Sequence, residues 1–260
     1  KVLWKGLRQR GILGLTTLFS DLLKNARESI EGAIESDEMN ALLAPGCLHT
    51  GLAPDATMSA LMGQLVNLSL VQVADPLVKG GSHRLVEAFE TVLANNGAEV
   101  RTAADVSEVI TGGGKATGVR LANGEEITAE QGVIANVTPT QLYQRLLKQQ
   151  EVPENIARQT ANFRYGRSCM MMHIAMDEKP AWDNAEMGDV ALMHLTGGLN
   201  SVAKAVSEAD AGLLPAEPTI CVVQPLAVDP SRAPDGKWIL WLQMLEIPKE
   251  IRGDAKGEIS

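Results

Sequence analysis

Residues 79–136 constrain the fold more than any other stretch, because they combine a glycine turn, an amphipathic helix and tight turns between short apolar segments. Apolar residues recur at helical spacing from Leu85 onward, after a Ser82 that suits a helix N-cap. Asn96-Gly97 supplies the left-handed residue at which such a helix ends. The sequence therefore predicts a helix of about three turns in this stretch.

Short strands and hairpin turns are predicted to follow this helix. Residues 98–101 and 106–110 have the composition of strands, and residues 133–135 form an uncharged apolar run that suits a strand covered on both faces. The glycines at 112–114 and the Asn-Gly pair at 123–124 provide the positive-φ residues that tight hairpins demand. We therefore expect a small meander that returns to a final apolar strand.

The order of these pieces resembles the middle segment of the FAD-binding domain in the two-domain flavoprotein family that contains the phytoene desaturases and the monoamine oxidases. In that family a Gly-Gly turn, a helix, two short strands, an Asn-Gly hairpin and an apolar strand follow one another. The matching positions here are 80–81, 97–100, 106–109, 118–125 and 133–136. The resemblance implies that Gly80, Gly81, Val106 and Asn136 lie near the cofactor, with the backbone of Val106 against the adenine ring.

Composition excludes several classes of function. The chain has 260 residues, of which 45% are hydrophobic, so it can fill one large core or two ordinary ones. Its net charge of −9 argues against nucleic acid or an acidic membrane surface as a partner, because binding phosphates needs clustered Lys and Arg. No apolar run approaches the roughly 20 residues of a membrane helix, and no signal peptide is recognisable. We expect no integral membrane segment and a cytoplasmic location.

No residue pattern predicts a catalytic triad, a phosphate loop or a metal site. Cys47, Cys169 and Cys221 are far apart and odd in number, which predicts reduced and mostly packed thiols. Residues 112–115 lack the spacing of a phosphate loop. The four histidines are scattered and offer no partner to a nucleophile by spacing; they are His49, His83, His173 and His194. We therefore predict no catalytic side chain and no metal ligand.

The first part of the chain is predicted to be helical. Apolar residues at helical spacing within 1–40 indicate two or three amphipathic helices, and Ser36 suits the N-cap of a helix that Pro45-Gly46 ends. A further apolar helix is predicted at 58–73. Residues 36–44 resemble the segment of phytoene-dehydrogenase-like oxidoreductases that introduces the helices around the substrate cavity.

The last part of the chain is predicted to form a sheet with helical cover. Strands are expected at 168–176, 190–195, 219–224 and 237–246, and the first of them reads as a buried strand. A helix at 199–211 would cover the sheet with its apolar face. Residues 212–243 resemble the substrate domain of the phytoene-dehydrogenase-like branch.

The resemblance implies that this chain is the middle of a longer protein of mixed α/β class. The Gly-x-Gly-x-x-Gly turn that holds a pyrophosphate is absent from the sequence. We divide the chain into a helical part of the substrate domain at 1–78, the central segment of the FAD-binding domain at 79–140, and the sheet part of the substrate domain at 141–260. On this division, FAD binding by the chain alone should be weak.

The function implied by the resemblance is hydride transfer from a carbon of a small apolar substrate to FAD. The flavin supplies the chemistry, so the protein contributes orientation, an apolar cavity and exclusion of water. The chain alone is expected to be inactive, and a homo-oligomer stays open. The residues predicted for the cavity wall are Met58, Leu61, Met62, His83, Met170, Met172 and Trp241.

Two alternatives stay open at this point. An amine-oxidase-like flavoenzyme would need an aromatic pair beside the flavin, which is hard to supply from nine aromatic residues. The second alternative is a non-catalytic binding or assembly module that holds no flavin. A flavin absorption spectrum separates the enzyme classes from the module.

Overall fold

The protein is described by a computed structural model that covers residues 2–73, 76–148 and 152–259. Helices and strands are mixed, as the sequence predicts. The chain forms two compact units, Lys1–Val86 with Gly166–Ser260, and Glu87–Tyr165. The three-part division made from the sequence concerns the domains of a longer protein and stays a prediction.

The regular elements occur in the predicted order. The α-helices are α1 (Val2–Leu23), α2 (Ala26–Glu31), α3 (Asp37–Leu43), α4 (Ser59–Val73), α5 (His83–Asn95), α6 (Glu154–Ala161) and α7 (Leu199–Asp210). The strands are β1 (Val106–Gly112), β2 (Lys115–Leu121), β3 (Glu126–Thr128), β4 (Ser168–Met176), β5 (Leu192–Leu195), β6 (Leu213–Leu214), β7 (Ile220–Val223), β8 (Trp238–Ile247) and β9 (Gly253–Asp254). Short 3₁₀-helices are Ala44–Thr50, Ala185–Asp189, Pro225–Ala227 and Pro230–Arg232, and Gln141–Leu146 is a π-helix.

The helical start of the chain confirms the predicted signals. Helix α1 is bent at Gly11, whose φ of 67° no regular helix contains. The hydroxyl of Ser36 accepts the backbone N–H of Met39 and so caps α3. Pro45 lies in the first turn of the 3₁₀-helix that follows. Three helices therefore precede this 3₁₀-helix, and α4 follows it as predicted.

The sheet of the first unit has the strand order β4-β8-β7-β5, and every pairing is antiparallel. One cluster of buried side chains joins the 3₁₀-helix Ala44–Thr50 to α7, and Leu245 of β8 packs against it. A second cluster is centred on Met193, Val222 and Leu240 of the sheet. Helix α7 thus covers the sheet region, as predicted.

The prediction that residues 168–176 form a buried strand is wrong in one respect. The strand forms as β4, but it lies at the edge of the sheet and pairs only with β8. Met170, Met171 and Met172 are 41%, 50% and 48% exposed. An apolar run indicates burial on both faces only when neighbours cover both faces.

The second unit contains the predicted meander. Strands β1 and β2 are joined through Gly113 and Gly114, with φ of 60° and 75°. Strands β2 and β3 are joined through a turn that contains Gly124, with φ of 90°. Helix α5 begins directly after Ser82, and Gly97 follows its end with φ of 75°. The glycine positions therefore mark the turns, as the sequence indicates.

Two strands predicted beside this meander are wrong. Residues 98–101 and 133–135 have no strand structure. Val100 is 52% exposed and Ile134 is 100% exposed. A strand needs a partner for its N–H and C=O groups, and neither segment pairs with another strand in the part of the chain that the structure describes. The predicted helix at 142–147 is the π-helix, and α6 was not predicted.

Candidate functional site

An apolar cavity of about 490 Å³ lies among the helices of the first unit. Such a volume is typical of pockets for small molecules. Helices α2 and α4 and the segment after α2 supply most of its wall. The lining residues are Ala26, Ser29, Ile30, Ala33, Ile34, Leu43, Ala60, Gln64, Asn67, Leu68 and Val71.

The wall from α4 is one helix face. Ala60, Gln64, Asn67, Leu68 and Val71 recur at intervals of three and four residues, so their side chains project from the same side of α4. This spacing is visible in the sequence. What the sequence does not show is which of the apolar faces of α4 meets α2.

Buried hydrogen bonds set the position of the cavity wall. The hydroxyl of Ser59 is fully buried, accepts the backbone N–H of Ala26 at 2.7 Å and donates to the carbonyl of Pro54 at 2.9 Å. It therefore joins the start of α4 to the start of α2. Farther along α4, Gln64 donates to the Ser29 hydroxyl at 3.1 Å, which pairs two of the polar groups of the wall. The rest of the wall is mainly apolar.

None of the seven residues predicted for the substrate cavity lines this one. Met58 precedes α4 with φ of 69°, and Leu61 and Met62 lie on α4 and are half-buried. The exposed His83 begins α5. The structure therefore places the predicted residues of α4 on the same helix as the cavity wall but at other positions.

The remaining three predicted cavity residues divide between the two faces of the sheet. Met170 pairs with Met244 and Met172 with Leu242, whereas His173 pairs with Trp241. Since directly opposed residues share a face and successive residues alternate, the two methionines lie on one face and Trp241 on the other. The rings of Trp241 and His173 are stacked at 6.3 Å with 6° between their planes. The Trp241 Nε1 is buried and has no hydrogen-bond partner among the described residues.

The predicted Gly-Gly turn is held by a buried carboxylate. Gly80 donates its backbone N–H to Oδ2 of Asp229 at 2.6 Å. Ser231 donates to Oδ1 of Asp229 from its hydroxyl at 2.7 Å and from its backbone at 3.2 Å. The bonds from Ser231, followed by the one from Gly80, lower the pKa of Asp229 below its ordinary 3.8. The turn is therefore fixed to the 3₁₀-helix Pro230–Arg232.

Close packing explains why glycine suits position 81. Its φ is 111°, and a Cβ there would lie 3.0 Å from Nδ1 of His83 and 3.2 Å from Cζ of Arg232. Such contacts are tighter than ordinary van der Waals separations. The other two residues predicted near the cofactor belong to the second unit, where the half-buried Val106 begins β1 and Asn136 is exposed in an irregular segment.

Two histidines that are 145 residues apart in the sequence meet in the first unit. Nε2 of His49 lies 3.3 Å from Nε2 of His194. Burial, and secondly the proximity of His49, lower the pKa of His194 to about 4. Nearby, burial raises the pKa of the Cys47 thiol to about 11. Spacing in the sequence gave no signal for the His pair, because its members lie on a 3₁₀-helix and on β5.

Glu246 is fully buried in β8. Its Oε1 accepts the backbone N–H of Thr219 at 3.4 Å, and its Oε2 has no partner among the described residues. Burial raises the pKa of this carboxyl above its ordinary 4.5. The described residues contain no group of three or more His, Cys, Asp or Glu side chains with the geometry of a metal site. Within the same residues, every helix is too short or too polar to cross a membrane.

Comparison with known proteins identifies the relatives of this chain. No protein-family model matches it. The chain is 31% identical over 145 residues to a chloroplastic prolycopene isomerase from Daucus carota, which covers 53% of this chain and 22% of the isomerase. It is 29% identical over 162 residues to a 4,4'-diapolycopene oxygenase from Methylomonas sp, which covers 61% and 30%. A zeta-carotene-forming phytoene desaturase from Myxococcus xanthus is 24% identical over 216 residues, with 83% and 39% covered.

Its homologues are phytoene-desaturase-like carotenoid desaturases and isomerases. This confirms the family resemblance drawn from the residues, and the chain spans less than half the length of these relatives. Among solved structures, an oxidoreductase from Methanosarcina mazei matches with a TM-score of 0.59 and 16% identity, over 85% of this chain and 47% of the other. A protein from Pyrococcus furiosus matches with a TM-score of 0.56 and 15% identity, over 85% and 49%. These structures support the fold.

Proposed function

We propose that the chain is the middle portion of an FAD-dependent oxidoreductase that transfers hydride from a carbon of an apolar substrate to flavin. The observation that carries this proposal is the apolar cavity between α2 and α4 in a chain whose homologues include carotenoid desaturases and oxygenases. The cavity offers a site for a hydrocarbon chain, because burying apolar surface is worth roughly 25 cal/mol per Å².

The cofactor would be held mainly by parts of the protein other than these 260 residues. Gly80, Gly81, Val106 and Asn136 are our candidates for positions near the flavin. The N–H of Gly80 already donates to Asp229, so it is not available to a phosphate. The residues present therefore fit contacts at the edge of the cofactor and do not fit its pyrophosphate. When bound, FAD would supply the hydride acceptor, while this chain would position the substrate and exclude water.

The exposed apolar face of α5 supports the assignment of residues 79–140 to the FAD-binding domain. Apolar residues occur along α5 at helical spacing, yet no described residue of this helix is buried. Phe89 is 62% exposed and Val92 is 56% exposed. An amphipathic helix normally buries such a face against other elements. We propose that the parts of the FAD-binding domain that this chain does not contain cover it.

The proposal is tested on the protein encoded by the complete reading frame. We expect it to purify with bound FAD and to reduce that FAD anaerobically when a long polyene is added. The change Ala33→Trp would fill the cavity, so we expect the substrate KM to rise at least about 10-fold with unchanged flavin content. Ala94→Trp on the exposed part of α5 is the matched control for adding a large side chain outside the cavity.

The same experiment distinguishes the alternatives. A protein that holds no flavin would be the non-catalytic module. A flavoprotein that is reduced by amines and not by polyenes would be the amine-oxidase-like enzyme. Equal kinetics of the Ala33→Trp and Ala94→Trp proteins would remove the cavity from the account of substrate binding.

A further inference from the structure

The His49 and His194 rings form a cluster outside the proposed substrate cavity. His49 lies in the 3₁₀-helix Ala44–Thr50, and His194 lies in β5. Their Nε2 atoms are 3.3 Å apart, the ring centroids are 5.3 Å apart, and the ring planes meet at 77°. The fold therefore brings together two nitrogens of the kind that most often bind metals in proteins.

This separation is the one that a tetrahedral metal imposes on two imidazoles. Two nitrogens that each lie 2.0–2.1 Å from a tetrahedral zinc ion are about 3.3 Å from each other, and their ring centroids are about 5.2 Å apart. The observed distances of 3.3 Å and 5.3 Å agree with both values. The two rings would need little movement to receive an ion.

We propose that His49 and His194 form a two-imidazole site for a divalent transition metal ion such as zinc, with water in the other positions. Imidazole nitrogen is a ligand that suits zinc, copper and nickel. No third side chain among the described residues completes a metal group, so the site keeps open positions, as catalytic zinc sites do. The net charge of −9 favours the accumulation of cations near the chain.

Metal binding at this place would connect two layers of the first unit. One ligand comes from the 3₁₀-helix that packs against α7, and the other comes from a strand of the four-stranded sheet. An ion that binds only the folded state stabilises it by mass action. Zinc should therefore raise the unfolding temperature of the unsubstituted chain, and the rise should depend on zinc concentration.

The test uses the two histidines outside the pair as matched controls. Zinc is titrated calorimetrically into the chain near neutral pH, and into the His49→Gln, His194→Gln, His83→Gln and His173→Gln proteins. We expect one equivalent of zinc to bind, at least about 10-fold more weakly to either pair variant and unchanged in the controls. Equal zinc binding by the unsubstituted chain and by both pair variants would overturn the proposal, because the pair would then be a hydrogen bond only.

A second measurement needs no substitution and so does not depend on whether the variants fold. X-ray absorption at the zinc edge of the unsubstituted, zinc-loaded chain should show two imidazole nitrogens at about 2.0–2.1 Å and oxygen in the remaining positions. Sulfur in the first shell would contradict the proposal, because the chain has three free cysteines that could bind zinc instead.

Discussion

The four-stranded sheet β4-β8-β7-β5 and the three-stranded meander β1-β2-β3 differ in how much of their apolar surface is covered. The larger sheet lies beside two buried clusters and a covering helix. In the second unit Val109 and Leu121 of the meander are buried, but Val92 and Ile134 are 56% and 100% exposed. The comparison teaches that one unit has an extensive core within this chain, whereas the other has apolar surface that residues outside this chain would cover.

The largest test of this contrast is a matched pair of valine truncations. Val202 in the middle of α7 is 0% exposed, and Val92 in α5 is 56% exposed. We expect Val202→Ala to lower the free energy of unfolding by about 2 kcal/mol, because it leaves a cavity in a close-packed cluster. Val92→Ala should change it by less than about 0.5 kcal/mol. Urea unfolding followed by circular dichroism measures both, and equal losses would break the comparison.

The next test concerns the buried carboxyl of the larger sheet. Burial raises the pKa of Glu246, so the folded chain binds this proton more tightly than the unfolded chain. Stability is therefore lost as pH rises from 4.5 through the folded pKa. Glu246→Gln removes this loss, and we expect it to stabilise the chain by about 1–3 kcal/mol near pH 7.5.

The control for Glu246 is the pH dependence itself. The difference between the Glu246→Gln protein and the unsubstituted chain should be small near pH 4.5 and grow toward pH 7.5. Thermal unfolding at a series of pH values follows it. A stability difference that does not depend on pH would mean that charge burial at Glu246 does not cause the effect.

A smaller effect is expected at the first hairpin of the meander. Gly114 has φ of 75°, and a Cβ there would meet no atom within 4 Å. The cost of Gly114→Ala is therefore conformational only, about 1–2 kcal/mol. Lys115→Ala, one residue farther in β2, should have little effect. Amide hydrogen exchange of β1 and β2 reports the local loss, which should leave β7 and β8 unchanged.

The smallest test uses the thiols and requires no change in stability. Cys169 is exposed on the edge strand β4, whereas Cys47 and Cys221 are buried. Burial also raises the pKa of Cys47 to about 11, which keeps it in the unreactive thiol form near pH 8. Alkylation of the folded chain should therefore modify one of the three cysteines quickly. Fast modification of all three would show that the larger sheet region opens readily.

The elements predicted correctly from the sequence are those that local signals specify. Ser36 caps α3, and the glycines near 113 and 124 set the hairpins, because a capping bond or a positive φ needs only neighbours in the chain. The predicted strands at 98–101 and 133–135 fail for the opposite reason. Their apolar residues predict burial, but a strand forms only beside a partner, and none pairs with them in the described residues.

The candidate site was predicted less well than the fold. Helix α4 was expected to border a cavity, but its several apolar faces give no indication of which one meets α2, and the lining face proved to be that of Ala60 and Leu68. The role of Asp229 at the Gly-Gly turn and the His49 and His194 pair were missed, since both join distant segments of the chain. Such contacts follow from the topology and not from spacing in the sequence.

The most direct test of the central claim is the flavin content of two purified proteins, the one encoded by the complete reading frame and the present 260 residues. The account predicts about one FAD per chain in the first and little or none in the second, because these residues lack the turn that holds a pyrophosphate. A complete protein without flavin, or tight FAD binding by the 260 residues alone, would contradict it.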